Sequence, residues 1–328
     1  MSALGKRLLV TGGAGFIGSH VCELFLDRGW SVDVLDDLSN GRREQVSPGA
    51  TLHVFSVGSP DAARLVREGG HDVIVHLAAQ MDVRRSVADP AFDATSNILG
   101  TLNLLEALRA AGRMASRRFV FASTGGAIYG DLAIPPNVET FAKDPESPYA
   151  ISKLSVEHYL AYYARQHGLD PVSLRFGNVY GPRQDPHGEA GVIAIFCSRI
   201  IEGRPLTVYG PGTQTRDYVY VGDVTEATWI AATRPLPPVG RLDDRAFNVG
   251  TGVATSVNEL TEALMRVTGR PVLVEHAAPR LGELEHSYLE TAKAQRVLEF
   301  RAATDLRAGL EATFRWFESR SLSQAAHS

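Results

Sequence analysis

The chain opens with a glycine-rich turn that leaves few choices of fold. Thr11-Gly-Gly-Ala-Gly-Phe-Ile-Gly18 follows a short apolar run, Arg7–Val10, and starts an amphipathic segment, Gly15–Asp27. Phe16, Ile17, Val21, Leu24 and Phe25 of that segment share one helix face. Glycines at 12, 15 and 18, set between a strand and a helix, have the spacing of a dinucleotide site. Gly12 allows the tight turn, Gly15 lets the backbone approach a pyrophosphate, and Gly18 lets helix and strand pack closely. The helix N-terminus then offers N–H groups and partial positive charge to phosphates. Asp36 closes the next apolar run, Ser31–Asp36. A carboxylate there accepts hydrogen bonds from both hydroxyls of an adenosine ribose and repels a 2′-phosphate, which favours NAD over NADP. Arg42 and Arg43 read as solvated loop charges, and Asp37 as a turn residue.

Helical patterns and short apolar runs keep alternating: helix Asp61–Arg67, strand Val73–His76, helix Asn97–Ala111, strand Phe119–Ala122. A Pro-rich loop comes next, then a punctuated helix: Ser147 can cap it, Pro148 suits its first position and Gly168 ends it. Val172–Phe176 is a further strand. Continuous apolar strands imply burial on both faces, hence a parallel sheet between helix layers. The fold class expected is α/β, a Rossmann-type doubly wound parallel sheet with a smaller C-terminal α/β substrate domain. Its cofactor domain should take residues 1–178 plus about 223–250. The second domain should take about 179–222 plus 251–318, with helices over Val257–Val267 and Leu306–Phe317. Arg234–Gly240 reads as a surface connection, and the polar 319–328 as a flexible tail.

Composition narrows the function classes. Lys and Arg number 33 against 37 Asp and Glu, a net charge of −4, which gives no case for a nucleic-acid partner. Apolar residues at 44% are enough for a buried core and exclude bulk disorder. No apolar run is long enough for a bilayer span, so no membrane partner is expected. Only Cys22 and Cys197 are present, both among apolar residues, and no metal-ligand spacing occurs, so no metal is expected. These features point to a cytoplasmic protein.

Tyr149 and Lys153 lie four residues apart at the start of the helix capped by Ser147, on one face. A tyrosine titrates near 10, so acting as a base at neutral pH takes a shift of about three units, roughly 4 kcal/mol. A nearby ammonium, a cationic nicotinamide ring and the helix N-terminus all act in that direction. Upstream, Ser123 and Thr124 end the strand in Phe121-Ala-Ser-Thr-Gly-Gly-Ala-Ile-Tyr-Gly130, at the sheet edge where α/β proteins place their chemistry. Either hydroxyl could bridge a substrate hydroxyl and Tyr149.

With these residues in place, the chain resembles the extended short-chain dehydrogenases/reductases, and within them the UDP-glucose (UDP-galactose) 4-epimerases. The likeness runs nearly full length. It rests on the glycine turn, Leu35-Asp-Asp-Leu-Ser-Asn-Gly41, His76-Leu-Ala-Ala-Gln80, Asn97-Ile-Leu-Gly-Thr101 and Ser147-Pro-Tyr-Ala-Ile-Ser-Lys153. It continues through Asn178-Val-Tyr-Gly-Pro-Arg-Gln184, Thr215-Arg-Asp-Tyr218, Asn248-Val-Gly-Thr-Gly252 and Pro279-Arg-Leu-Gly-Glu283.

The resemblance implies NAD as cofactor. Phe16 and Ile17 would lie on the pyrophosphate, with Asp36, Leu38, Asn40 and Gly41 around the adenosine ribose. Val57 would offer backbone to the adenine. Leu77, Ala78, Gln80 and Asn97 would line the path to the nicotinamide, with Phe176 beside it and Lys153 on its ribose. For a UDP-sugar substrate it implies Asn178 at the phosphates, Val192, Thr207 and Tyr209 around uridine, Arg216 and Arg280 on the diphosphate, and Glu283 on the uridine ribose.

Three positions depart from the family pattern. Gly125 stands where many members carry the catalytic serine, which points to Thr124, with Ser123 as the alternative. Ser56 stands where an aspartate usually meets the adenine amine. Ser287 replaces a bulky tyrosine and leaves the sugar pocket roomier. The activity implied is C4 epimerization of a UDP-hexose through a transient 4-keto sugar. The alternatives are a UDP-N-acetylglucosamine or UDP-glucuronate 4-epimerase, then a sugar-nucleotide dehydratase or decarboxylase, and last a non-catalytic NAD-binding module. The dehydratases place acidic residues where Gly125 and Gly126 stand here. The family also implies a homodimer through the helices of Asn97 and Tyr149.

Overall fold

The computed structural model describes residues 5–115, 117–187, 191–279 and 284–325. Strands and helices alternate from the start: β1 (Arg7–Thr11), α1 (Phe16–Asp27), β2 (Ser31–Leu35), β3 (Thr51–His53), α2 (Pro60–Gly69) and β4 (Val73–His76). Two short helices, α3 (Val83–Ala88) and α4 (Pro90–Ala94), come next, and a π-helical turn, Thr95–Leu99, joins them to α5 (Gly100–Ala110). Then come β5 (Arg118–Thr124), α6 (Pro148–His167) and β6 (Asp170–Phe176).

The second half is more broken: β7 (Asn178–Tyr180), α7 (Val192–Ile201), β8 (Leu206–Tyr209), β9 (Thr215–Arg216), β10 (Tyr218–Tyr220), α8 (Val221–Thr233) and β11 (Ala246–Val249). It closes with β12 (Thr255–Ser256), α9 (Val257–Thr268), β13 (Val274–Ala277), β14 (His286–Ser287) and α10 (Leu306–Ala325).

Seven parallel strands form the main sheet in the order β11-β6-β5-β4-β1-β2-β3. This is the doubly wound α/β sheet that the strand pattern predicts. Winding reverses between β1 and β4, and in such sheets the crevice beyond the carboxyl ends at that point takes the ligand. One face packs on α1 and α8 through Val10, Val21, Phe25, Val34, Val75 and Val224. The other packs on α2, α5 and α6 through Leu9, Ile74, Leu104, Phe119, Phe121 and Leu160. Each such side chain contributes about 1.5–3 kcal/mol by leaving water, so the strand ends are held by two apolar layers. A third cluster, with Ile193, Phe196, Val208, Leu260, Leu264 and Phe314, joins α7, α9 and α10 to β8.

Local chemistry explains the helix bounds. The Ser147 Oγ accepts the Ala150 N–H at 3.2 Å, Pro148 takes the first turn, and Gly168 ends α6 at φ +72°. Ser59 caps α2 in the same way, and Ser256 and Glu259 form a reciprocal capping box on α9. Arg234–Gly240 is irregular surface chain, as expected.

Two expectations change. The helix read as starting at Asn97 begins with the π-helical turn, and α5 proper starts at Gly100. The segment from Ser319, read as a flexible tail, continues α10 to Ala325. Its Ser319 hydroxyl bonds back to the Trp316 carbonyl at 2.9 Å and Arg320 lies over the Trp316 ring, so small polar residues extend the helix on contacts within it.

Candidate active site

The glycine turn forms a cradle. Gly12 has φ +72°, and a Cβ there would lie 2.7 Å from the Ala78 nitrogen just after β4. At Gly18 a Cβ would lie 2.1 Å from the Gly12 carbonyl, so any side chain would push α1 off the turn. Gly15 caps α1 without a side chain, leaving the first-turn N–H groups of Phe16, Ile17 and Gly18 to a ligand.

Asp36 sits just past β2, buried, and its two oxygens accept the Ala14 N–H at 3.0 Å and the Leu38 N–H at 2.9 Å. Burial pushes its carboxyl pKa up. Lone pairs remain for two ribose hydroxyls. A Cβ at Gly41 would stand 2.7 Å from the Asp36 carboxylate, so the loop carrying Leu38 and Asn40 closes tightly over it. Asp37 is the turn residue expected, accepting from the Ser39 N–H and hydroxyl. Arg42 pairs with Asp185 at the surface. The residues present therefore fit a dinucleotide: N–H groups for the diphosphate, and a carboxylate placed for the ribose. Val57 is half-buried, and its carbonyl accepts from the Asn103 amide at 2.8 Å.

A hydrogen-bond chain runs beneath the cradle, one that the sequence reading missed. Ala78 N–H donates to the Thr11 hydroxyl at 3.2 Å, which faces His76 Nδ1 at 2.7 Å. On the other side of the ring, His76 Nε2 faces the Thr101 hydroxyl at 2.8 Å, and Thr101 donates to the Asn97 carbonyl at 2.6 Å. That direction makes Nε2 the protonated nitrogen of a neutral imidazole. Burial lowers the His76 pKa to about 3. Leu77 N–H donates to the Thr11 carbonyl, so the strand ends carrying Leu77 and Ala78 are pinned to the glycine turn. Gln80 and Asn97 hold each other by two bonds of 2.9 Å.

Tyr149 lies half-buried in the first turn of α6, and the Lys153 Nζ is 5.8 Å from its ring centroid. Lys153 is buried and donates to the Ala122 carbonyl of β5 at 2.9 Å, leaving two of its three protons for ligands. Burial lowers its pKa to about 8, with Asp93 opposing. Burial raises the Tyr149 phenol, and Asp93 adds to the rise. A cationic ring beside the phenol would act against both effects.

The structure separates the two candidate hydroxyls. Thr124 ends β5 opposite Phe176 of β6, and Gly125 N–H donates to the Phe176 carbonyl. Among the described residues the Thr124 hydroxyl has no hydrogen-bond partner. Ser123 is corrected: alternation along β5 turns it to the α6 side, buried, where it donates to Glu157 at 2.5 Å. Glu157 and Arg175 form a bidentate pair at 2.6 and 3.1 Å. Arg175 also reaches Asp243, the Tyr129 hydroxyl and the Glu139 carbonyl. Lys143 in turn pairs with Asp243. Ser123 belongs to this buried structural network.

Of the substrate candidates, Asn178 begins β7, exposed, and its Oδ1 is 3.7 Å from where a Cβ on Gly126 would be. Ser287 is buried, with its Oγ 3.5 Å from the Gly126 carbonyl, so the position reserved for a bulky tyrosine borders the loop after Thr124. Arg216, on β9, lies beside Ser287 in register. Val192 starts α7, Thr207 and Tyr209 lie on β8, and the Thr207 hydroxyl accepts from Arg199 at 2.6 Å. Arg280 and Glu283 lie outside the described residues.

Two of the quoted motifs meet through a residue not singled out. The buried Asp217 carboxylate accepts from the Thr251 N–H and hydroxyl, both at 2.7 Å, and from the N–H groups of Gly252 and Leu289. It therefore ties the start of the second half to the end of the main sheet.

The sequence model of the NAD dependent epimerase/dehydratase family matches residues 8–250. The chain belongs to this family. A UDP-glucose 4-epimerase of Mycolicibacterium smegmatis is 43% identical over 320 residues, covering 96% of this chain and 99% of the relative. The crystal structure of a Thermotoga maritima UDP-glucose 4-epimerase with UDP-glucose matches at a TM-score of 0.90 and 40% identity, covering 96% of this chain and 99% of the other. A Thermus thermophilus UDP-glucose 4-epimerase in complex with NAD matches at 0.86 and 44%, covering 95% and 98%. No described helix is long and apolar enough to cross a membrane.

Proposed function

We propose that this member of the family is an isomerase that inverts C4 of a UDP-hexose, UDP-glucose and UDP-galactose being its substrate pair, with NAD as cofactor. The observation that carries this reading is the meeting, at the carboxyl edge of one sheet, of a ribose-binding carboxylate, a Tyr-Lys pair and a lone strand-end threonine. That similar proteins are UDP-glucose 4-epimerases, one solved with UDP-glucose and one with NAD, supports it. The main sheet holds the cofactor, and residues about 179–222 with 251–318 hold the sugar nucleotide.

When bound, NAD accepts a hydride from the sugar C4 and returns it to the opposite face. Tyr149 as phenolate takes the proton of the 4-hydroxyl and gives it back, with Thr124 bridging the two oxygens. Lys153 holds positive charge near the phenolate and binds the nicotinamide ribose. Acid–base work of this kind contributes about 10²–10⁴-fold. Gly125 and Gly126 stand where a dehydratase carries its second acid, and neither can transfer a proton; a Cβ at Gly125 would also press on the Leu289 side chain at 2.7 Å. The 4-keto sugar therefore turns over without losing water.

Ser287, which borders the Gly126 loop, stands where the family's bulky tyrosine would be, and that replacement favours a second substrate class, the N-acetylated UDP-hexosamines. A second copy of the chain covers α3–α6, whose outer face exposes Val87, Phe92, Leu99, Ile151, Tyr159 and Tyr162, as a homodimer would require. Cys22 and Cys197 are free and buried, with thiols pushed up to about 12, in keeping with a reducing cytoplasm.

The test is a panel of UDP-sugars read by proton NMR. UDP-glucose and UDP-galactose should reach one common ratio from either side, and the N-acetyl pair should do so more slowly. No interconversion of any UDP-hexose would refute the reading.

A further inference from the structure

Behind the Tyr-Lys pair lies a charge that the mechanism above does not use. Asp93, in α4, is completely buried. Its Oδ1 accepts the amides of Gln80 at 3.2 Å and Asn97 at 3.0 Å, and its Oδ2 accepts the Ser152 hydroxyl at 2.6 Å. All three donors are neutral, so hydrogen bonds satisfy the carboxylate without cancelling its charge. Ser152 sits between Tyr149 and Lys153 in α6, while Gln80 and Asn97 line the path proposed for the nicotinamide. One carboxylate thus clamps the catalytic helix to the cofactor-facing loop.

We propose that Asp93 is a positioning residue of the reaction: it fixes the first turn of α6 through Ser152 and supplies the buried negative charge that keeps Lys153 an ammonium beside Tyr149.

The surroundings support this role. A lysine without a counter-charge in a dry site loses its proton, and the hydrogen-bond and ring contacts of Lys153 among the described residues are the Ala122 carbonyl and the Phe121 and Tyr149 faces, none of them charged. Besides burial, Asp93 is the charge that weighs on both members of the pair, and it raises both. Other titratable groups on the elements packed against α6 are spoken for. Arg175 of β6 is paired with Glu157 of α6 and with Asp243 of the 3-10 turn Leu242–Arg245. In that same turn, Asp244 accepts the Gly240 and Arg241 N–H groups and Arg245 pairs with Asp170 of β6. Arg118, at the far end of β5, also pairs with Asp170. In α3, Arg84 and Arg85 are exposed, Arg85 over the Phe92 ring. His76 of β4 is neutral. On α6 itself, His158, Tyr159, Tyr162, Tyr163, Arg165 and His167 follow Glu157, away from the first turn.

The proposal rests on the epimerase reading and makes a signed prediction. Removing the carboxylate eases ionisation of the Tyr149 phenol and eases loss of the Lys153 proton. Both limbs of the pH profile of kcat/KM in Asp93→Asn should therefore move to lower pH by about one unit, the low end for a neighbouring charge. A merely structural role would lower activity and leave both limbs in place. Ser152→Ala keeps the charge and cuts the tether, so its limbs should stay while kcat falls several-fold at unchanged KM. A direct readout needs no turnover: in 15N-lysine NMR, with the Lys153 signal assigned by Lys153→Arg, the titration midpoint should fall in Asp93→Asn. Since that titration needs no substrate, its outcome is separate from failure of the epimerase reading, which would show as an inactive wild type. An unmoved lysine midpoint, or either limb standing still or moving to higher pH, overturns the proposal. If Asp93→Asn does not fold, Ser152→Ala decides, and an unchanged kcat overturns it.

Discussion

Helix α6, which carries Tyr149 and Lys153, is anchored twice, by opposite chemistry. In its third turn Glu157 meets Arg175 in a buried cluster with Asp243 and Lys143, two negative charges against two positive. Just past its first turn Ser152 meets Asp93, a single buried charge among neutral donors. A cancelled cluster projects little field and fixes geometry. An uncancelled charge fixes geometry and also acts on whatever titrates nearby, so the field is kept at the end of the helix where protons move.

The largest effect expected is at that end. Tyr149→Phe should cut turnover by about 10²–10⁴-fold, as loss of a general acid–base group does. Bound NAD and thermal stability should stay as in the wild type. A comparable loss of stability would make Tyr149 another structural anchor and erase the contrast.

At the other anchor stability should fall and not chemistry. Arg175→Met leaves Glu157 charged, buried and without its main partner, which costs about 3–5 kcal/mol in denaturant unfolding. The double variant Arg175→Met with Glu157→Leu should recover most of it, since apolar replacement of a whole buried pair is often neutral. Failure to recover would mean that the cluster does more than hold geometry.

Acid should expose a third buried group. The His76 pKa is lowered to about 3 by burial, against about 6.5 in the unfolded chain. Between those values the unfolded state binds the extra proton, so stability falls as pH drops from about 6.5 toward 3. His76→Gln should flatten that fall. Burial also lowers His20, which adds a slope of the same sign. Asp33, held low by His71, His53 and Arg7, works the other way in chemistry but to the same end: its stabilisation is full above about 4 and is lost in stronger acid. From pH 6.5 to 4 the histidines therefore pull stability down, against an opposite slope from Asp36 and Asp217, whose carboxyls burial pushes up. The smallest effect is at the helix cap: Ser147→Ala should cost about 1 kcal/mol, measured by thermal unfolding.

Local signals were legible in the chain: the glycine turn, the Ser-Pro start and Gly end of α6, and apolar strands within two or three residues of their bounds. The choice between Ser123 and Thr124 was not, because adjacent strand residues face opposite sides and only packing shows which side holds the helix. Asp93 was invisible for a similar reason. A lone aspartate in a polar stretch reads as solvated surface, and its burial depends on α4 folding back against α6. The short strands β9, β12 and β14 have two residues each, too few for any period to show.

The central claim is that one hydrogen leaves C4 and the same hydrogen returns. UDP-galactose carrying deuterium at C4 should give UDP-glucose that keeps the deuterium at C4, in ordinary water and with no added reductant. Product carrying a solvent hydrogen at C4 would contradict it.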